Sequence, residues 1–341
     1  MRHPIALALV LLCPATLFCQ ATSLDMLQPN TGIVFGIEWK RLMASPLRDV
    51  IAGKFRESAA PLGGDMQAME DLLFNGIDSV LVAAPVQSLS TPGATPPVLI
   101  IGKGRFNPAQ IKSWLKTQGK AQIYKSVELL TPPSKATGKA DVSILALLDA
   151  GTLLGGDETQ VKAAIDRVKS GASAGTLLMK TRAVALAASN ELWAMVDLPP
   201  DAMRNAPPAA AQMLNDVKSM DLGVSLASGF GLRLNLVTAS DDSAKALAGL
   251  VQGMLGMYAM AQSESPQMAA LMKKIQVSAG PNAVNMSLSL DPAEFEKLMK
   301  ESLTPKASSA AAANPGPGPK PVARVSGLNG GPVKVPLQTA R

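Results

Sequence analysis

Val277-Ser278-Ala279-Gly280-Pro281-Asn282-Ala283-Val284-Asn285-Met286-Ser287-Leu288-Ser289-Leu290-Asp291-Pro292-Ala293-Glu294 carries the pattern from which the rest of the chain can be read. Two alternating runs, Val277 to Ala279 and Ala283 to Leu290, flank the turn residues Gly280-Pro281-Asn282, and that is the signature of a β-hairpin. Asp291 then offers a side-chain acceptor at an N-cap. Pro292 suits the first helical position, and Glu294 completes a capping box. The unit is therefore a hairpin followed by an amphipathic helix.

The same unit recurs upstream. Ser79 to Ala84 and Val98 to Gly102 precede a helix start at Asn107-Pro108-Ala109-Gln110. Val142 to Leu148 and Thr152 to Gly155 flank Asp149-Ala150-Gly151 and precede a start at Asp157 with Gln160. Leu222 to Ala227 and Leu232 to Thr238 flank Ser228-Gly229 before Ser240 or Asp241. Repeated hairpin-helix units predict an α+β fold: two related lobes of antiparallel sheet with helices packed on one face. Gly32 to Ile37 opens the first lobe and Leu192 to Asp197 the second. Helices over Lys40 to Phe55 and Ala209 to Ser219 are additions to the repeat. The small, polar stretch Ser170-Gly171-Ala172-Ser173-Ala174-Gly175 reads as the linker, with the boundary between Gly171 and Thr181, so the lobes span 22–172 and 173–303.

Both ends of the chain differ from this body. Arg2 and His3, then the apolar run Ile5 to Cys19, then Cys19-Gln20-Ala21, form the three parts of a signal peptide over residues 1–21, cut after Ala21. The run is about 15 residues long and holds Pro14, whereas a membrane span takes roughly 20. Lipidation at Cys19 is the competing reading; the bulky Phe18 before it argues against that. Export implies a periplasmic or extracellular location. From 304 to 341 the sequence has no acid and no aromatic residue and contains Asn314-Pro315-Gly316-Pro317-Gly318-Pro319. Such a segment buries too little apolar surface to offset its ordering entropy, so the expectation is a disordered, basic, Pro/Ala/Gly-rich tail.

Charge follows the same division. The chain holds 32 basic and 26 acidic residues. Arg2 goes with the leader and Lys306, Lys320, Arg324, Lys334 and Arg341 lie in the tail, which leaves a body with 26 of each sign. The high pI thus belongs to the tail and gives no warrant for nucleic-acid binding; weak association of the tail with an acidic membrane surface is the reading it allows.

Loss of the leader also removes His3, Cys13 and Cys19, the only residues of their kinds. Disulfides, His or Cys metal sites and histidine-dependent triads are then excluded. Gly171-Ala172-Ser173-Ala174-Gly175 matches the G-x-S-x-G nucleophile elbow in letters, but it follows a helix and has no histidine base. Ser113-Trp114-Leu115-Lys116 matches S-x-x-K without the segments that complete that site. Gly102-Lys103-Gly104 and Gly155-Gly156 are turn glycines, not a phosphate loop. Carboxylate chemistry stays open, through Asp157-Glu158, Asp241-Asp242, Glu38, Asp65, Glu70 or Asp71.

The remaining candidate site is a methionine group: Met254, Met257 and Met260 at i, i+3 and i+6 on the uncharged stretch Ala246 to Ser263, with Met268 and Met272 beyond. Thioethers could line a groove for a hydrophobic ligand or hold a soft ion such as Cu(I), although methionine more often fills core gaps. Gly249, Gly253 and Gly256 predict a helix buried between lobes and packed closely on a neighbour. A membrane helix fits less well, given three glycines and two glutamines. The function these features predict is an exported, non-catalytic binding protein, its partner a hydrophobic ligand or an envelope component, with no cofactor required. The alternatives are a hydrolase using carboxylates only and a Met-lined ligand or soft-metal binder.

Overall fold

The computed structural model describes residues 23–46, 48–49, 52–53, 75–86, 96–109, 111, 120–131, 144–173, 176–199, 215–261, 266–303, 323–325 and 333–335. The leader, Ser113 to Lys116, Asp65, Glu70, Asp71 and most of the tail lie outside them. Two compact units divide the chain, 1–296 and 297–341. In the second, Ala323–Val325 (β13) pairs antiparallel with Val333–Val335 (β14).

Apolar alternation along each strand puts one set of side chains on either side of a sheet, and in the first unit twelve strands join into one. They are β1 (Thr31–Ile37), β2 (Ile77–Pro85), β3 (Leu99–Gly104), β4 (Lys120–Tyr124), β5 (Val127–Thr131), β6 (Ile144–Asp149), β7 (Thr152–Gly156), β8 (Leu192–Asp197), β9 (Val217–Ser225), β10 (Phe230–Thr238), β11 (Gln276–Gly280) and β12 (Ala283–Leu290). The order is β11-β12-β10-β9-β8-β1-β2-β3-β7-β6-β5-β4, antiparallel throughout. The β1 to β8 pairing, with Val34 opposite Met195, carries the sheet from the first predicted lobe into the second.

Six helices complete the described elements: α1 (Trp39–Ala44), α2 (Glu158–Ser170), α3 (Leu177–Ser189), α4 (Asp241–Ala261), α5 (Pro266–Lys274) and α6 (Pro292–Leu303). The caps read from sequence form. Asp157 accepts from Thr159 N and Gln160 N at 2.9 and 3.3 Å. Asp291 accepts from Glu294 N at 2.8 Å while Glu294 accepts from Asp291 N at 3.3 Å, a reciprocal capping box. Asn107 accepts from Ala109 N at 3.0 Å.

Helices cover both faces of the sheet, not one. Residues directly opposed in antiparallel pairs share a face, so the register traces a single row: Gly223, Trp193, Gly36, Leu81, Ile101, Leu154, Ala146 and Leu129, across eight strands. The large side chains of this row are sealed, and α2 and α3 close over them with Val161, Ile165, Met179 and Ala183. The opposite face carries the row Val196, Met220, Leu236 and Val284 under α4, and Leu42 and Met43 of α1 further along. Strands apolar on both sides need cover on both sides, a requirement that the hairpin pattern alone did not reveal.

Two other expectations are corrected. Val217 to Ser219 belong to strand β9, so the helix drawn over Ala209 to Ser219 does not reach its end; Ala209 to Leu214 lie outside the described residues. The stretch read as a linker begins one residue late, because Ser170 is the last residue of α2; beyond Gly175, Thr176 caps α3, accepting from Met179 N at 3.1 Å, and Leu177 to Thr181 are helical.

Candidate docking face on helix α4

Helix α4 is built to stand firmly on the sheet. Ser240 accepts from Ser243 N at 3.1 Å as its N-cap, Asp241 accepts from Asn282 N at 2.6 Å, and both acids of the first turn complement the helix dipole. Ala244, Leu247 and Ala248 are buried against β10 and β12, with Val251 partly buried beside them. Gln252 Nε2 donates to Val277 O on β11 at 3.0 Å. One face of the helix is thus fully used.

The outward face is apolar too. Leu250, Met254, Met257 and Tyr258, at i, i+4, i+7 and i+8, are 46, 46, 62 and 48 % exposed. That spacing makes one stripe along a helix. Gly249, Gly253 and Gly256 run along its flank, and a Cβ at any of them would meet nothing within 4 Å. The expectation of a helix buried between lobes is overturned here: the glycines face open space, and α4 is covered on its sheet side. Of the three predicted groove residues, Met254 and Met257 lie together on the stripe; Met260 is helical, and its side chain lies outside the described residues. Leu250 and Tyr258 complete the stripe and were not singled out from sequence, though their spacing from Met254 was there to be read.

Polar clusters lie elsewhere. Ser173, the serine of the elbow-like motif, donates to Asp25 Oδ1 at 2.6 Å and accepts from Lys180 Nζ at 2.6 Å, and Lys180 also pairs with Asp25. Burial raises the Asp25 carboxyl, but the hydrogen bonds from Lys180 and Ser173 and the Lys180 charge outweigh it and hold the carboxyl below its ordinary value. The trio fastens the segment around Leu24 and Leu27, both core residues, to the start of α3. Asp25 lies 148 positions from Ser173, so nothing in the local sequence pointed to it.

Glu38 accepts from Trp193 Nε1 at 3.3 Å. Burial pushes its carboxyl above the ordinary value, with the Glu191 charge adding to the rise and the Trp193 bond and Arg41 opposing it. Glu191 is buried and accepts from Leu226 N at 2.6 Å. Arg41 reaches the last carbonyls of α3, including Ala188 O at 2.9 Å. The aromatic beside these acids, Trp193, is 1 % exposed, so it offers no stacking surface for a sugar. Arg182 bonds Asp197 and Asp221, and buried Lys103 donates to Thr152 Oγ1 at 2.9 Å. Among the described residues, no three of His, Cys, Asp and Glu converge as metal ligands.

No protein-family profile matches the sequence, and no curated protein does. Two solved structures are similar in fold, crystal forms I and IV of the protein TP0453. Form I is 6 % identical, with 82 % of this chain and 96 % of that chain covered at a TM-score of 0.47. Form IV is 7 % identical, with 81 and 95 % covered at 0.45. Likeness at that level carries no functional argument.

Proposed function

We propose that this chain is an exported, non-catalytic binding protein that presents the outward face of α4 to an apolar partner. The observation that supports the reading is the stripe Leu250, Met254, Met257 and Tyr258, which leaves four large apolar side chains in water on a helix whose other face already fills the core. Isolated exposed leucines need no explanation, but a contiguous stripe marks an interaction site. Among the described residues no helix is long and apolar enough to cross a membrane. The leader pattern at 1–21 supports export, and the basic tail supports weak contact with an acidic surface.

The two-lobe reading belongs to the same proposal. Outward from the β1 to β8 pair, the sheet runs β2-β3-β7-β6 on one side and β9-β10-β12-β11 on the other, the same order of connection with the hairpin β4-β5 added at one end. Duplication of one half explains that correspondence. The first half then supplies six of the eight strands of the sealed row, β8 and β9 of the second half supply the other two, and the second half also supplies α4.

The test is titration with an uncharged apolar fluorescent probe, Nile red, against the wild type and a Leu250→Lys, Met257→Lys double variant. Binding should weaken at least about tenfold, or ~1.4 kcal/mol, with the thermal transition unchanged. Equal binding by a folded variant would overturn the assignment of the face. The carboxylate-hydrolase reading would rest on the raised Glu38 beside Glu191, and hydrolysis of a glycoside that Glu38→Gln abolishes would restore it.

A further inference from the structure

We draw no further inference here: the strongest candidate, the exposed apolar stripe Leu250, Met254, Met257 and Tyr258 on the outward face of α4, belongs to the site already described, and nothing in the structure shows what covers it.

Discussion

At the scale of single residues, two carboxyls shifted in opposite directions make opposite predictions. Asp25 is held below its ordinary value by Lys180 and Ser173 against the effect of burial. The stability it contributes is present above the unfolded carboxyl value of about 4 and is lost as pH falls through the lower folded value. Asp25→Asn should cost about 0.5 to 1 kcal/mol at pH 7, because the pair is partly exposed, and the loss should vanish at low pH; urea unfolding at both pH values measures it. Glu38 is raised by burial, so the native state holds its proton more tightly than the unfolded chain does. Stability then declines as pH rises from the unfolded carboxylate value through the raised folded one. Glu38→Gln should flatten that decline, and equal slopes for variant and wild type would refute the assigned cause.

Gly36 illustrates how far one residue can be constrained. It stands opposite Trp193 in the β1 to β8 pair, and a Cβ on it would come within 2.0 Å of the indole Cε2. The ring fills the volume a side chain would take, and with Trp193 fully buried it has no free direction to move. Gly36→Ala should destabilise by roughly 1 to 3 kcal/mol by overpacking, measurable as a lowered urea midpoint with an unchanged slope.

At the scale of elements, the caps and hairpins were legible because the physics that sets them is local. Asp157, Asn107 and Asp291 each bond the helix start that the sequence assigns to them, and Glu294 closes its box. Breaking that box with Asp291→Ala should cost about 1 kcal/mol, checked by chemical denaturation. The orientation of α4 was not legible, for a physical reason. From Ala246 to Ala261 the helix has no charged side chain to mark its outer side, so the reading defaulted to burial. Only the sheet beneath it shows which stripe is used: Ala244, Leu247 and Ala248 inward, Leu250, Met254, Met257 and Tyr258 outward. The Asp25, Ser173 and Lys180 trio was hidden for the opposite reason, since its members meet only through the tertiary fold.

At the scale of the whole molecule, one antiparallel sheet carries both halves of the sequence pattern, and the strand pair that joins them has four strands beyond β8 and six beyond β1. The alternation within each run announced strands and an antiparallel arrangement, but no local signal says that β1 will pair with β8, more than 150 residues away. Trp193, Val34 and Met195 are buried at that junction. Backbone amides of β1 and β8 should therefore be among the slowest to exchange with deuterium, while those of the edge strand β4, where Ile123 is 81 % exposed, should exchange fast. Exchange at β1 and β8 as fast as at β4 would mean that the halves open independently.

The account as a whole depends on the outward stripe of α4 being occupied in the setting where the protein works. Native mass spectrometry of the protein taken intact from its producing cells, wild type beside the Leu250→Lys, Met257→Lys variant, reads this directly. A second copy or a bound apolar molecule should add mass to the wild type and be absent from the variant. Identical spectra from two folded proteins, each at the bare monomer mass, would contradict it.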